Sequence, residues 1–310
     1  MSDYPVHIEI EPRVHLIRGS DRAKFPEANS LLIDDEILTL VDAGTNYDNI
    51  RSTLKDLNHE ITDINRIVLT HFHLDHKGFA EVLRKKANCE VLCHPLADVG
   101  VMTFSGMAEY YGIKGHRYYK DWKTFIVEMR PHLLEDYSVT GHFEHNKGID
   151  CGEVELIPIH TPGHTRDHTV IGINGTDTIM LVDIDLTRFG PWYGNSVSDI
   201  AEFKRSIQNV IDLEPRIGIS SHLLNPVSDN LIGRLERYLA AFDQREEKIL
   251  DLISQGVDTI EKLSNVPTIY PRIPRNVYLV FEEMMLQMHI EDMEERNMIS
   301  VSNETITIEK

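Results

Sequence analysis

Three histidines and one aspartate lie within six consecutive positions of the chain, at His71, His73, Asp75 and His76. Imidazole is the commonest protein ligand of borderline metals such as Zn²⁺, and a carboxylate can bind or bridge a second cation. In an extended segment residues 71 and 73 point to the same face, because side chains alternate along a strand. Asp75 and His76 follow at a turn, where they can serve a neighbouring metal. Such a cluster supports metal-assisted activation of water.

Three later segments also place a ligand-type side chain directly after an apolar run. His164 follows a tight Pro-Gly turn, Asp183 ends one apolar run, and His222 follows another. Asp185, two residues after Asp183, is an alternative aspartate. Each side chain alone is weak evidence, because polar groups at strand ends are commonly structural. Together with the cluster at 71–76 their order and spacing become specific.

The elements that must position these side chains can be read from hydrophobic periodicity. Residues 7–41 contain four short apolar runs broken by proline, glycine and aspartate, which predicts an antiparallel meander. Further strands are expected at 64–69, 90–93, 153–159, 169–173, 178–182 and 217–220, and helices at 47–58, 77–86 and 198–213. This order of elements indicates two sheets that face each other with helices outside.

Two regions depart from this alternation. Residues 96–140 form a long, aromatic-rich connection with helical periodicity, which predicts a lid or a small subdomain. Its rings either pack the insert onto the core or face a substrate. Residues 228–310 contain three helical patterns (231–252, 259–263 and 276–296) and a terminal hairpin, an order that resembles a winged-helix module. The sequence thus predicts a catalytic domain at 1–227 and a C-terminal module at 228–310.

The charge of the chain limits its partners. The formal net charge is −19, from 50 acidic and 31 basic residues, and the last predicted helix is itself acidic. This charge disfavours a nucleic-acid partner, for which a basic reading helix would be expected. Packing within the chain or dimerisation is therefore the favoured role of the module. A small-molecule substrate and a possible homodimer are the expected partners.

Other bulk features predict the compartment. No apolar run approaches the roughly 18 residues that a membrane helix needs, so no membrane partner is expected. The three cysteines form no CxxC pair and the N-terminal stretch is mixed and charged, which favours the cytoplasm. Four of the 16 histidines, His59, His116, His132 and His289, are interpreted as surface residues.

The order of the motifs resembles the metallo-β-lactamase superfamily. These motifs are His-x-His-x-Asp-His, Thr-Pro-Gly-His-Thr, a strand-end aspartate and a late strand-end histidine. Asp42, in Leu-Val-Asp-Ala-Gly, matches the early Asp-x-Gly turn of that family. The resemblance covers roughly residues 5–225. It implies an α/β (α+β) fold, an αββα sandwich with the metal site at one edge, here with a helical insert and the C-terminal module.

The resemblance also implies a ligand set with two metals. The first metal would be bound by three histidines, His71, His73 and His164. The second would be bound by Asp75, His76 and His222, and one aspartate would bridge both ions. Position favours Asp183 as the bridge, although the family often has glycine before it and Val182 stands here. Asp185 remains the alternative.

Four residues outside the ligand set also have interpretations. Asp42 would orient the histidine turn through hydrogen bonds. His160 and His168 flank His164 and would support a ligand or face the substrate. His94, before a proline, is interpreted as structural.

The implied activity is metal-dependent hydrolysis. Two cations would lower the pKa of a shared water, and the bridging hydroxide would attack a small-molecule ester-type bond of the thioester or lactone class. Asp75 would be the catalytic residue that orients this nucleophile or shuttles its proton. Nitrogen and carboxylate ligands without a thiolate favour Zn²⁺, and Fe and Mn are compatible.

Two alternative activities use the same fold. The first is a phosphodiesterase or nuclease, although nuclease members with a β-CASP insertion carry a large domain between the bridging aspartate and the last histidine, where this chain has no room for one. The second is non-hydrolytic, an iron-dependent oxygenase being the main case. Counting and identifying the metals would separate these possibilities.

Overall fold

The first of two large sheets contains the predicted N-terminal meander. The computed structural model describes residues 4–273, 275 and 277–309. Seven strands form this sheet in chain order: β1 (His7–Glu11), β2 (Val14–Ile17), β3 (Ser30–Ile33), β4 (Thr39–Val41), β5 (Arg66–Leu69), β6 (Glu90–Cys93) and β7 (Gly141–His142). The first four strands pair antiparallel, which confirms the meander, and β4 to β7 pair in parallel.

The second sheet carries the later predicted strands. Its order is β12-β11-β10-β9-β8, with the following bounds: β8 (Ile149–Asp150), β9 (Glu155–His160), β10 (Thr169–Ile173), β11 (Thr178–Val182) and β12 (Ile217–Ser220). Strands β11 and β12 run parallel, so both carboxyl ends lie at one edge of the sheet. A separate hairpin, β13 (Ile299–Ser302) and β14 (Thr305–Ile308), ends the chain.

Alternate residues of the strands build the core between the sheets. Leu31 and Ile33 face the inter-sheet cluster, together with Ile171 and Met180 of the second sheet. Leu32, between the first two, faces the helices outside, and all five side chains are fully buried. Each such side chain contributes roughly 1.5–3 kcal/mol by burial. Because both faces of each sheet are covered, the predicted αββα sandwich is confirmed.

Ten α-helices lie among the described residues: α1 (Tyr47–Asp56), α2 (Leu74–Lys77), α3 (Ala80–Ala87), α4 (Asp98–Met102), α5 (Phe104–Tyr110), α6 (Tyr119–Met129), α7 (Ile200–Asp212), α8 (Leu231–Ser254), α9 (Ile260–Ser264) and α10 (Val277–Glu295). The single helix predicted at 77–86 is wrong, since Gly78 and Phe79 separate α2 from α3. A Cβ on Gly78 would lie 2.3 Å from Nη1 of Arg130, and the chain turns there to admit this buried guanidinium.

The insert and the C-terminal helices pack against the sandwich. Trp122 and Ile126 of α6 belong to the same apolar cluster as Val280 and Phe281 of α10. Further along α10, Met285 joins a second cluster with residues of α7 and α8. The last helix thus packs within the chain, one of the two roles expected for the C-terminal module. The domain boundary at 227 and the winged-helix likeness stay predictions. Across the described residues, none of the helices combines the length and apolar character needed to span a membrane.

Candidate metal centre

The structure brings four of the predicted ligands together as one group. His71 and His73 follow β5, His164 lies in the turn between β9 and β10, and Asp183 follows β11. Asp183 Oδ2 is 3.2 Å from Nε2 of His164 and 3.8 Å from Nε2 of His71. Nδ1 of His73 is 3.1 Å from His164 Nε2. One ligand-type atom from each residue lies within 4.8 Å of the others, which is close enough for one cation.

The remaining three predicted ligands form a second group beside the first. Nε2 of His222 is 3.6 Å from Oδ2 of Asp75, and Asp75, His76 and His222 again offer atoms within 4.8 Å of one another. The other oxygen of Asp183, Oδ1, is 3.1 Å from Nε2 of His76 and 3.5 Å from Nε2 of His222. The two oxygens of this one carboxylate therefore face the two groups.

Asp185, the alternative aspartate, is placed differently. Its carboxylate accepts hydrogen bonds from the backbone N–H of Thr187 at 2.9 Å and from the Thr187 hydroxyl at 3.2 Å. It lines the cavity described below but does not belong to either ligand group.

Unpaired polar atoms test whether the site suits metal ions. Nε2 of His71 is buried without a hydrogen-bond partner, while Nε2 of His76 and Oδ1 of Asp183 are buried 3.1 Å from each other. Buried polar groups are normally paired, so the unpaired nitrogen of His71, which lies among other ligand-type atoms in one small space, fits a cation that would satisfy it. Burial first, and then the neighbouring imidazoles, hold the pKa of His71 and of His73 well below the usual value. These two rings are neutral and offer lone pairs for coordination.

In the second group the pKa values of the two histidines are raised, not lowered. Burial alone would lower the pKa of His76, but Asp183 and Asp42 outweigh it and raise the pKa well above the usual value. In the same way Asp183, followed by Asp75, raises the pKa of His222 to about 9 against the effect of burial. Without a cation these rings hold protons beside Asp183, and a bound cation would replace that positive charge.

Asp42 positions the histidine segment through hydrogen bonds to its carboxylate. Its Oδ2 accepts a hydrogen bond from Nδ1 of His76 at 2.7 Å and from the Thr70 hydroxyl at 2.8 Å, and its Oδ1 accepts from the Thr70 backbone N–H at 2.9 Å. Asp42 and His76 are fully buried. Because Nδ1 of His76 carries the donated proton, Nε2 is left as the atom that faces Asp183.

Backbone carbonyls and one further histidine orient the other ligands. His164 donates from Nδ1 to the carbonyl of Trp192 at 2.7 Å, and His222 donates from Nδ1 to the carbonyl of Ala23 at 2.7 Å. His168 accepts the backbone N–H of Asp183 at its Nε2, at 3.2 Å. Burial, and next His164, lower the pKa of His168 to about 3, so the ring stays neutral and can accept this bond.

Two backbone positions show how tightly the site is built. A Cβ on Gly44 would lie 1.4 Å from the carbonyl oxygen of Asp75, so only glycine lets the Asp42 turn approach the histidine segment. Val182, directly before Asp183, has φ +55°, a left-handed conformation that a β-branched residue rarely adopts. The resemblance marked this position as one where glycine is common, and the backbone has the conformation that glycine favours.

An aromatic cavity of about 330 Å³ opens onto both ligand groups. The insert contributes three of its rings, from Tyr111, Trp122 and Phe125, and the C-terminal region contributes three more, from Tyr270, Tyr278 and Phe281. The aromatic residues of the insert are therefore divided between the core and the cavity wall, since Phe104 and Tyr110 pack in the core and do not line the cavity. A substrate-facing role for the three cavity rings stays a prediction.

The C-terminal region also fixes the loop that carries Trp192. Arg245 of α8 is buried and donates to the carbonyls of Phe189 and Pro191 and to the Tyr193 hydroxyl. The Trp192 indole donates to the hydroxyl of Tyr270 at 2.7 Å. No local pattern in the sequence reveals these contacts, because they join residues about 50 to 80 positions apart through backbone carbonyls and aromatic hydroxyls.

The structure locates the histidines that lie outside the two ligand groups, and it corrects one interpretation. His289 is only 1% exposed, so its assignment to the surface is wrong; its Nε2 pairs with the Tyr193 hydroxyl at 2.7 Å. His59, His116 and His132 are half-buried rather than fully exposed. His160 donates from Nε2 to the carbonyl of Arg166, outside both ligand groups.

His94 has a local structural contact, as interpreted. Its Nδ1 accepts the backbone N–H of Leu96 at 3.2 Å, which caps the short helix that follows. Its ring also stacks on His160 at 4.1 Å between centroids.

The sequence profile of the metallo-beta-lactamase superfamily matches residues 24–222, which include all seven predicted ligands. The match covers more than half of the chain, so the chain belongs to this superfamily. The fold and the family expected from the motifs are thereby confirmed, and the family is one of metal-binding hydrolases.

Individual relatives are similar at low identity. The chain is 26% identical over 226 residues to a beta-lactamase-like protein 2 homolog of Drosophila melanogaster, covering 72% of this chain and 66% of the relative. It is 23% identical over 252 residues to an atrochrysone carboxyl ACP thioesterase of Passalora fulva, covering 79% and 63%. The chain thus spans just under two thirds of the length of these relatives.

A solved structure shows that the fold extends over nearly the whole chain. The crystal structure of a metallo-beta-lactamase family protein from Thermus thermophilus superimposes with a TM-score of 0.77 at 19% identity. The match covers 97% of this chain and 100% of the other, so it includes the insert and the C-terminal helices.

Proposed function

We propose that the protein is a hydrolase with a binuclear metal centre that cleaves a small-molecule thioester or related ester. The observation that carries this proposal is the position of Asp183, whose two oxygens face two separate ligand groups. When bound, two divalent cations would make hydroxide available between them at neutral pH and stabilise the oxyanion that forms at the carbonyl. Zinc is the preferred metal, because the ligand atoms are imidazole nitrogen and carboxylate oxygen.

The residues of the chain have distinct parts in this proposal. His71, His73 and His164 would hold one cation, while Asp75, His76 and His222 would hold the other, with Asp183 between them. Asp75 is also the proposed catalytic residue, since it is buried and yet lines the cavity. It would orient the attacking water and pass its proton toward the departing thiol or alcohol, as the new C–O bond forms and the ester bond breaks.

The surroundings of the site support an organic acyl substrate. The cavity wall is largely aromatic, which suits the burial of an apolar group beside the carbonyl carbon. One relative is named as an ACP thioesterase. The net charge of −19 disfavours a polynucleotide substrate.

The test combines metal analysis with a substrate panel. Purified wild type is expected to hold two metal ions per chain and to hydrolyse at least one thioester or lactone. Asp183→Ala and His71→Ala should lose both metal and activity. His59→Ala is the matched control, because His59 is half-buried and pairs with Asp34 outside both ligand groups.

The same measurements separate the alternative functions. Full activity in Asp183→Ala and His71→Ala would overturn the proposed site. A single iron per chain would favour an oxygenase, and turnover restricted to phosphodiesters would favour the phosphodiesterase alternative.

A further inference from the structure

The walls of the cavity form one connected set of aromatic rings. Phe25, 43% exposed, stacks on Phe125 with centroids 6.4 Å apart. The ring centroids of Phe125 and Tyr278 are 6.3 Å apart, and those of Tyr278 and Phe281 are also 6.3 Å apart. Phe281 and Trp192 follow, with centroids 5.6 Å apart. All five rings line the cavity. The series therefore runs from the protein surface inward.

The inner end of this series reaches the metal centre. The ring centroids of Trp192 and His164 are 5.8 Å apart. The ring of Tyr111 stacks on that of His73, with centroids 4.9 Å apart and an angle of 10° between the planes. A ligand that follows the rings from the mouth thus arrives at the first ligand group. Its reacting carbonyl would lie where the aromatic wall ends.

The rings nearest the metal centre are held by hydrogen bonds or by burial in the core. The indole of Trp192 donates to the hydroxyl of Tyr270 at 2.7 Å, and the hydroxyl of Tyr111 accepts the backbone N–H of Leu74 at 3.5 Å. Trp122 is 1% exposed and packed in the core. Inner walls that are fixed and flat favour a rigid ligand, which loses little conformational entropy on binding.

The composition of the lining points to the same ligand chemistry. Among the described residues that line the cavity, Leu74 is the single branched aliphatic side chain, whereas nine carry aromatic rings of Phe, Tyr or Trp. Aromatic pairs gain stabilisation beyond the area that they bury, through offset-stacked or edge-to-face contacts. A puckered or linear alkyl group of equal size would gain the burial without these contacts.

We propose that the cavity selects substrates whose acyl group is a planar aromatic ring system, bound between ring faces with its ester carbonyl at the metal centre. This inference rests on the proposed hydrolase function and names the substrate class of the same site. The region contributed by Tyr270, Tyr278 and Phe281 would make the C-terminal helices part of the substrate-binding site.

The binding test uses benzoate and cyclohexanecarboxylate as probes on the zinc-loaded full chain. The two acids share the carboxylate and the number of carbons, and they differ in that only benzoate is planar. Both tryptophans of the chain, Trp122 and Trp192, line the cavity, so intrinsic fluorescence reports occupancy, and calorimetry gives an independent Kd. Benzoate is expected to bind at least about fivefold more tightly. Equal binding, or tighter binding of cyclohexanecarboxylate, would overturn the proposal.

A pair of variants tests whether the rings of the cavity cause the preference. Tyr278→Leu removes one wall ring, and Tyr118→Leu is its control, because Tyr118 is a half-buried ring of the insert that lies outside the cavity and contacts the ring of His116. The ratio of the two dissociation constants should fall about threefold in Tyr278→Leu and stay unchanged in the control. An unchanged ratio in Tyr278→Leu, or an equal fall in both, would count against the proposal.

A kinetic arm distinguishes failure of this inference from failure of the proposed function. Benzoyl and cyclohexanecarbonyl thioesters of N-acetylcysteamine are compared by kcat/KM, each divided by its rate of hydrolysis in hydroxide alone. Faster turnover of the benzoyl ester supports the proposal, and turnover without preference overturns it. Binding preference without any turnover would support the ligand class while refuting the hydrolase.

Discussion

Replacing Asp42 by asparagine should weaken the second ligand group without unfolding the protein. Asp42 accepts the Nδ1 proton of His76 at 2.7 Å, with both groups fully buried. Asparagine has nearly the same shape, and its amide oxygen can still accept the backbone N–H of Thr70. It lacks the negative charge, however, and its amide NH₂ would oppose the N–H of His76 if it faced that ring.

The size of the effect follows from the bond that is lost. A hydrogen bond to a charged group contributes about 1.5–3 kcal/mol, which corresponds to roughly 10- to 150-fold in an equilibrium constant. Partners that orient metal-ligating histidines typically contribute 10- to 100-fold in metal affinity. We therefore expect Asp42→Asn to lower the affinity for one of two metals, and kcat/KM, by about 10- to 100-fold.

The assay is a competitive titration with a chelator of known affinity, followed by elemental analysis and thioester hydrolysis. Asp34→Asn is the matched control, because Asp34 also contacts a histidine, His59, at 2.7 Å but is about one-third exposed. Such a surface pair contributes at most about 1 kcal/mol. Unchanged affinity for both metals in Asp42→Asn would refute the reasoning.

Three further predictions concern stability and positioning. Burial lowers the pKa of His289 to about 3 from 6.5, so the neutral buried ring is fully tolerated above pH 6.5 and the free energy of unfolding falls as the pH drops from 6.5 toward 3. The loss at pH 5.5 is about 1 kcal/mol, and urea unfolding of His289→Gln should show a flatter pH dependence. Gly44→Ala should lose metal, with a lower Tm, because its Cβ would overlap the carbonyl oxygen of Asp75; normal metal content would contradict this. Arg245→Met should lower the free energy of unfolding by roughly 2–4 kcal/mol and raise KM, because the Trp192 loop loses three hydrogen bonds. Chemical unfolding measures the first effect, and an unchanged KM would count against a positioning role.

The structure brings the seven predicted residues together as two groups, and their role as metal ligands stays a prediction. Parts of this arrangement could be read from local sequence patterns. Side-chain alternation places His71 and His73 on one face, and the strand that ends at Val182 can be counted from its preceding turn. The helix predicted at 77–86 failed because Gly78 meets Arg130, a residue about 50 positions away that no local pattern reveals. His289 was misassigned for the same reason, since its partner Tyr193 lies on a loop distant in sequence.

The supports of the ligands were harder to predict than the ligands themselves. His164 is oriented by the carbonyl of Trp192, and every residue of the chain has an equivalent carbonyl. The side chain of Trp192 carries no information about that contact. Asp42 could be predicted, because its carboxylate is a side-chain group within a recognisable turn.

Val182 illustrates how the fold stabilises an unfavourable backbone conformation at the centre of the site. A left-handed φ costs a non-glycine residue about 1–2 kcal/mol, and more for a β-branched one. The Val182 side chain is fully buried between the two sheets, where it contributes roughly 1.5–3 kcal/mol. Burial therefore offsets the strain. Glycine at this position would adopt the left-handed conformation without strain, but it would leave a cavity in the core. The turn of the backbone at Val182 directs Asp183 out of β11, and the bond from its N–H to His168 holds it between the two histidine groups.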